Sequence, residues 1–230
     1  MTARLRLLAT WGLTVVSASV LLAQARPTTM EEMHRLHKDS GAYIAMLDDP
    51  ARDAEQKPHE VVMALGLKDG ERIADIGAGS GYFALRFARH VGDRGMVYAV
   101  DINPDMIAHV NARAREAGLK NLRTILAKPD DPMVPAPVDR FFICDTWHHI
   151  EGHPHYLALM RKALNPGGQI VILDYQKRET PNGPPLEMRI AREDVVREFE
   201  QHGFRVSAEY TFLPNQYFLV FTVAGSAPVR

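Results

Sequence analysis

An apolar run, Arg72-Ile73-Ala74-Asp75-Ile76, leads directly into Gly77-Ala78-Gly79-Ser80-Gly81, and a helical pattern of apolar residues (Phe83, Leu85, Phe87, Ala88, Val91) follows at once. This spacing predicts a strand, a glycine turn and a helix N-terminus. Alternate glycines let the backbone adopt positive φ and let a ligand approach the main chain. The helix start offers unpaired N–H groups to an electron-rich partner. A second apolar strand, Met96 to Val100, ends at Asp101, twenty residues after Gly81. An acid at that place suits a ribose diol. The dinucleotide fingerprint G-x-G-x-x-G requires a third glycine at position 82. Here that position is Tyr82 and the spacing is G-x-G-x-G, with Asp75 two residues ahead of it. A NAD-dependent oxidoreductase is therefore the weaker reading.

The rest of the chain repeats the strand–helix alternation. Strand 72–76 leads to helix 81–91, and strand 96–101 to helix 104–117, with Pro104 suited to a first helical turn and Gly118 to a C-cap. Strand 122–126 precedes a proline-rich loop over 128–138. Strand 140–145 is followed by helix 154–164, a turn at Asn165-Pro166-Gly167-Gly168, and strand 169–174. A polar loop over 176–185 leads to helix 192–202, and strands 204–211 and 216–223 form a closing hairpin through Leu213-Pro214-Asn215. Repeated β-α units predict an α/β fold, a parallel sheet with helices on both faces. The hairpin adds an antiparallel last strand.

The glycine motif with Asp75, and Asp101 at the end of the second strand, resemble the cofactor motifs of class I S-adenosylmethionine-dependent methyltransferases. The resemblance covers about residues 60–224, and the motif set is similar to that of the ubiquinone and menaquinone biosynthesis methyltransferases and related small-molecule enzymes. It implies a Rossmann-like seven-stranded, mostly parallel sheet whose last strand is inserted antiparallel. It also implies that Asp75, Gly77, Gly79 and Gly81 hold the methionine part of S-adenosyl-L-methionine, that Asp101 binds the ribose hydroxyls, and that Ile102 packs on the adenine. Family members often carry Gly-Asp-Ala after the third strand. Here Ala127-Lys128-Pro129-Asp130-Asp131 stands there, with Lys128 at the usual acid position. Asp130 is the nearest substitute for the adenine-edge acid, and Asp131 suits a turn before Pro132.

Ligands of open α/β sheets sit beyond the C-terminal ends of the strands. The fourth strand ends Cys144-Asp145-Thr146-Trp147-His148-His149-Ile150, and His153 and His155 follow closely. His148 and His149 are candidates for a general base, because imidazole titrates near neutrality. The cluster has two other readings: a metal site, which no surrounding acids or cysteines support, and a structural turn, as in family members where a His-His pair shapes this corner. Trp147 reads equally as core filling or as a wall for an apolar substrate. Beyond the fifth strand, the polar stretch 176–192 is expected above the site. Glu187 and Arg192 read as a surface ion pair.

The chain has 230 residues, 46% of them apolar and 24% charged, which suits one globular domain with additions. Its formal charge of −1 gives no bulk attraction to nucleic acid, and its single cysteine, Cys144, excludes an internal disulfide. Residues 1–25 are of a different kind. Arg4 and Arg6 precede an uncharged stretch, Leu7 to Leu22, and Ala23-Gln24-Ala25 fits a cleavage site. This pattern predicts a signal peptide cut after Ala25 and a periplasmic or secreted protein; an uncleaved membrane anchor is the alternative. Residues 26–65 read as a helical cover segment in which Tyr43 and Gln56-Lys57-Pro58 stand out. Residues 66–224 form the methyltransferase-like domain and 225–230 a tail. The expected partner is a small-molecule methyl acceptor, with no metal. The competing class is an exported non-catalytic protein that binds an adenosyl ligand.

Overall fold

The computed structural model describes residues 29–225. The expected signal peptide and most of the tail lie outside the described residues. Four helices come first: α1 (Met30–Lys38), α2 (Ser40–Leu47), α3 (Arg52–Gln56) and α4 (Pro58–Leu65). Thr29 starts α1 with a reciprocal capping box, accepting from the Glu32 amide at 3.2 Å while Glu32 accepts from the Thr29 amide at 3.1 Å. Asp39 caps α2 through the Ala42 amide. Lys57 takes φ 40°, which breaks the chain direction between α3 and α4, and Pro58 opens α4.

The core then alternates as β1 (Arg72–Ile76), α5 (Ala84–Val91), β2 (Met96–Asp101), α6 (Pro104–Glu116), β3 (Leu122–Leu126), β4 (Val138–Cys144), α7 (His153–Ala163), β5 (Leu164–Tyr175), α8 (Arg192–Gln201), β6 (Phe204–Tyr210) and β7 (Gln216–Val223). The seven strands lie in the order β3-β2-β1-β4-β5-β7-β6. Strands β1 to β5 pair in parallel, and β7 is antiparallel to both of its neighbours. This is the Rossmann-like sheet with an antiparallel last strand that the sequence predicts.

Two boundaries differ from expectation by three residues or more. Helix α5 begins at Ala84 rather than at residue 81, because Gly79 and Gly81 both take positive φ and hold the chain out of helical geometry. Strand β5 begins at Leu164 rather than 169. Its register with β4 jumps from Val138↔Leu164 to Arg140↔Gln169, so Asn165-Pro166-Gly167-Gly168 bulges within the strand instead of preceding it.

Alternate residues of the central strands feed opposite cores. Ile73, Phe142, Val171 and Phe218 pack with Val61, Phe87 and Val110 on one face. Ala74, Phe141, Ile170 and Leu219 pack with Leu157, Met160 and Phe199 on the other. Helices α4, α5 and α6 therefore cover the first face, and α7 and α8 the second. Trp147 is fully buried in the second core, stacked on His153 at 4.1 Å and donating to Glu198 at 3.2 Å. It is core filling.

Helices α1–α3 cross the carboxyl ends of the strands and are pinned there. Asp48 accepts from His109 at 2.9 Å and Arg113 at 2.5 Å, both on α6. Arg113 also donates to the Ser80 carbonyl at 2.8 Å, tying cover, glycine turn and α6 together.

Gly81 takes φ 78°, and a Cβ there would lie 2.5 Å from Leu85 Cδ1 and 3.1 Å from Val110 Cγ2. Its role is close packing between the turn, α5 and α6. Gly81→Ala should therefore destabilise the protein by about 1–3 kcal/mol, measured as a lower midpoint in chemical denaturation. An unchanged midpoint would contradict this packing role.

Candidate active site

A cavity of about 660 Å³ runs under the cover helices along the ends of β2, β1, β4 and β5. At the β2 end, the Asp101 carboxylate accepts from the Gly79 amide and the Asn103 amide, each at 2.9 Å. Burial raises its pKa, opposed by those backbone hydrogen bonds. Ile102 lines the cavity and is 60% exposed, an apolar side chain with an open face. Met106, Ala127 and Pro129 line the same end. Asp130 is not among the lining residues. That residue is exposed, in the turn closed by the Lys128–Asp131 backbone pair, and Lys128 and Pro129 line the cavity in its place.

At the β1 end, Gly77, Ala78 and Gly79 line the cavity. Gly77 takes φ 67°, and a Cβ there would fall 2.3 Å from Thr146 Oγ1. Only a glycine lets the turn lie against the end of β4. Asp75 and Gly81 are absent from the lining. Asp75 is buried directly behind the turn, where one carboxylate oxygen accepts from the Ala84 amide and Oδ2 has no hydrogen-bond partner. Burial pushes its carboxyl up to about 8; the Arg52 charge opposes this and Asp101 adds to it.

Beyond β4 the chain turns sharply. Asp145 takes φ 51°, uncommon for a residue with a side chain and a mark of functional sites. Its carboxylate accepts from Gln56 Nε2 of the cover at 2.9 Å and from Gln216 Nε2 of β7 at 2.6 Å. Burial raises its pKa, and the nearby Asp174 charge raises it further. Cys144 is buried beside it and donates its thiol to Gln56 Oε1 at 3.3 Å.

The four histidines separate. His148 Nδ1 lies 3.0 and 2.9 Å from the two carboxylate oxygens of Asp174, with the side chains only 2% and 1% exposed. A carboxylate can only accept, so Nδ1 carries the proton and Nε2 holds the lone pair. Burial alone would lower the His148 pKa, but the Asp174 charge and hydrogen bond outweigh it and the net shift is upward. His149 opens onto the cavity with its ring 4.3 Å from that of His148 and 5.4 Å from that of His37 on α1. The enclosing protein, then the neighbouring His148 and His37, lower its pKa to about 4. His153 is held between Glu198 at 2.9 Å and the Trp147 carbonyl at 3.1 Å, and His155 is on the surface.

Above this end lies the loop after β5. Buried Arg189 gathers it by donating to the carbonyls of Pro184, Gln176 and Arg178. The expected Glu187–Arg192 pair does not form: Arg192 donates to Glu209 on β6 at 2.7 Å, because the first turn of α8 faces that strand.

Sequence reasoning missed Arg52. It lines the cavity from α3, with its guanidinium 4.2 Å from the centre of the Tyr82 ring, and its charge acts on Asp75 and Asp145. The signal lay in its neighbours, since Tyr43 and Gln56, which the sequence singles out, line the same cavity.

Residues 67–205 match the family described as "Methyltransferase domain". Among curated proteins, the chain is similar to the ubiquinone/menaquinone biosynthesis C-methyltransferase UbiE of Teredinibacter turnerae. The two are 33% identical over 117 residues, covering 49% of this chain and 46% of that protein. It is 31% identical over 117 residues to UbiE of Vibrio cholerae, covering 49% and 44%. The chain thus spans about half the length of the curated relatives it matches. Among solved structures, a SAM-dependent methyltransferase from Aquifex aeolicus superposes with a TM-score of 0.74 at 27% identity, covering 79% of this chain and 97% of that one. The fold is also shared with a Geobacter sulfurreducens methyltransferase in complex with S-adenosyl-L-homocysteine, at a TM-score of 0.54 and 20% identity, covering 67% and 66%. The chain therefore belongs to the methyltransferase-domain family.

Proposed function

We propose that this enzyme methylates a proton-bearing atom of a small-molecule acceptor, with His148 as the general base. The observation that carries the reading is the buried His148–Asp174 pair at 2.9 Å, at the opposite end of the cavity from Asp101.

The cavity residues fit S-adenosylmethionine. Gly77 makes a cradle that a Cβ would fill, Asp75 keeps an unpartnered buried oxygen behind it, and Asp101 presents a carboxylate beside the open face of Ile102. Asp101 would accept from the ribose hydroxyls, Ile102 would cover the adenine, and the backbone of Gly77 to Gly79 would meet the methionine end. Bound there, the cofactor supplies a methyl group on a positively charged sulfur, already activated for displacement. The protein's remaining tasks are to align the acceptor, exclude water and accept a proton. Asp174 fixes the His148 tautomer and stabilises the imidazolium, leaving Nε2 to take the acceptor's proton. His149, neutral across the physiological range, contacts the acceptor and does not act as its base. The UbiE relatives are named as C-methyltransferases; the dyad here serves any acceptor atom that must lose a proton, whether carbon, oxygen, nitrogen or sulfur.

We further read residues 1–25 as an export signal. Its support is the order of charged start, apolar middle and small-residue cut site. N-terminal sequencing of protein from the native host should begin at Arg26; a chain starting at Met1 would indicate an anchor, and one starting at Met30 or Met33 would contradict export.

The catalytic assignment is tested with methyl-labelled cofactor and a protein-free small-molecule extract of the host. His148→Ala should keep cofactor affinity and lose about 10²–10⁴-fold in labelling rate. The rate should rise with pH through a pKa above that of free histidine, because only the neutral ring accepts a proton. The stability contribution has the opposite sign. A raised folded-state pKa stabilises the protein fully below the unfolded value, and this is lost as pH rises through the folded value. Activity should therefore appear in the window where this stabilisation fades. Equal rates in wild type and His148→Ala would overturn the assignment.

A further inference from the structure

We propose that Asp145 discriminates the methylated cofactor from its demethylated product by sensing the charge on sulfur, an inference that rests on the assignment of the cleft to S-adenosylmethionine. The sequence resemblance gives roles to Asp75 and Asp101, and the dyad uses Asp174. Asp145 lines the cavity itself, half-buried, and has no role yet.

Its place follows from the sheet order. Asp101 ends β2, the glycine turn leaves β1, Asp145 follows β4, and Asp174 lies near the end of β5, and those strands are adjacent in that order. Gly77 lies directly against Thr146, so the residue next to Asp145 touches the turn that would hold the methionine end. The sulfur joins ribose to methionine and directs its methyl toward the acceptor. With ribose at β2, methionine at β1 and the base His148 beyond β4, the sulfur falls beside Asp145.

The carboxylate is built to stay where it is. Gln56 and Gln216 each donate one amide N–H to a different oxygen, and their donors favour the ionised form. Both partners are neutral. Among the described residues no lysine, arginine or histidine lies within ion-pair distance of Asp145; the more distant Arg52 and His148 charges favour its ionised form and the Asp174 charge opposes it. A backbone in the left-handed region and a half-buried charge without an ion-pair partner are both costly. A cationic ligand offsets that cost. In the transfer, the S–CH₃ bond breaks with its electron pair left on sulfur, a bond forms from the acceptor atom to the methyl carbon, and the acceptor's proton passes to His148. The sulfonium becomes a neutral thioether, and Asp145 loses its counter-charge. The product is then held more weakly than the reactant, which favours its departure.

Calorimetry with S-adenosylmethionine, S-adenosylhomocysteine and sinefungin tests this; sinefungin carries an amine-bearing carbon in place of the methylsulfonium. Wild type should bind the two ligands that carry the extra positive charge about tenfold or more tighter than S-adenosylhomocysteine, as one charge pair at short range in a partly screened site implies. Asp145→Asn keeps the shape and suits the left-handed backbone. It should reduce that preference by about tenfold, mainly by weakening the charged ligands, with the thermal midpoint confirming that the variant is folded. The wild-type comparison needs no variant: S-adenosylhomocysteine binding as tightly as the charged pair overturns the proposal. Equal weakening of all three by Asp145→Asn, or no weakening, also overturns it. Wild type binding none of the three overturns the cleft assignment itself, and the proposal with it.

Discussion

The contact on which the site depends is the approach of two strand exits, one after β1 and one after β4. Gly77 at φ 67° lets the first turn rest against Thr146, where any side chain would collide. Because these strands are neighbours in a parallel sheet, their exits open on the same edge. The close approach brings the backbone of the glycine turn against Thr146, the residue after Asp145. The rest of the cleft follows from the sheet order, which places Asp101 on one side of this contact and Asp174 on the other.

The cover is the second determinant, and most of its hold comes from one short helix. In α3 and the residue after it, successive side chains reach different parts of the domain. Asp53 accepts from the Tyr82 hydroxyl, Glu55 accepts from Asn182 in the loop after β5, Gln56 bonds Asp145, and Lys57 donates to the Phe212 carbonyl at 3.0 Å. Arg52 adds the guanidinium that faces the buried acids. Helix propensity alone could not hold five residues in this conformation. Tertiary bonds do so, and they couple the glycine turn to the loop over the acceptor end.

The fold was legible because its signals are local. Short apolar runs, glycine turns and the closing hairpin each declare themselves within a few residues, and the sheet order follows from known connection rules. The misplaced starts of α5 and β5 arose where glycine and proline alter a boundary without ending the element. The cavity lining at the β1 and β2 exits was legible for the same reason: Gly77, Gly79 and Asp101 lie within one β-α-β unit. The lining at the β4 and β5 exits was not. His148 could be separated from His149, His153 and His155 only by a partner 26 residues away, Asp174, and Arg52 has meaning only once α3 is seen over the strand ends. Asp130 stands outside the lining, in a loop whose turn is closed by the Lys128–Asp131 backbone pair. Trp147 became plain core only when Glu198 and His153 were found against it.

The central claim is that cofactor and acceptor share one cleft, ordered from Asp101 through the Gly77 turn and Asp145 to His148. A crystal structure of the protein with S-adenosylhomocysteine tests it most directly. The account predicts both ribose hydroxyls on Asp101, the adenine against Ile102 and the sulfur between Asp145 and His148. A ribose bound away from Asp101, or a sulfur directed away from the end of β4, would contradict it.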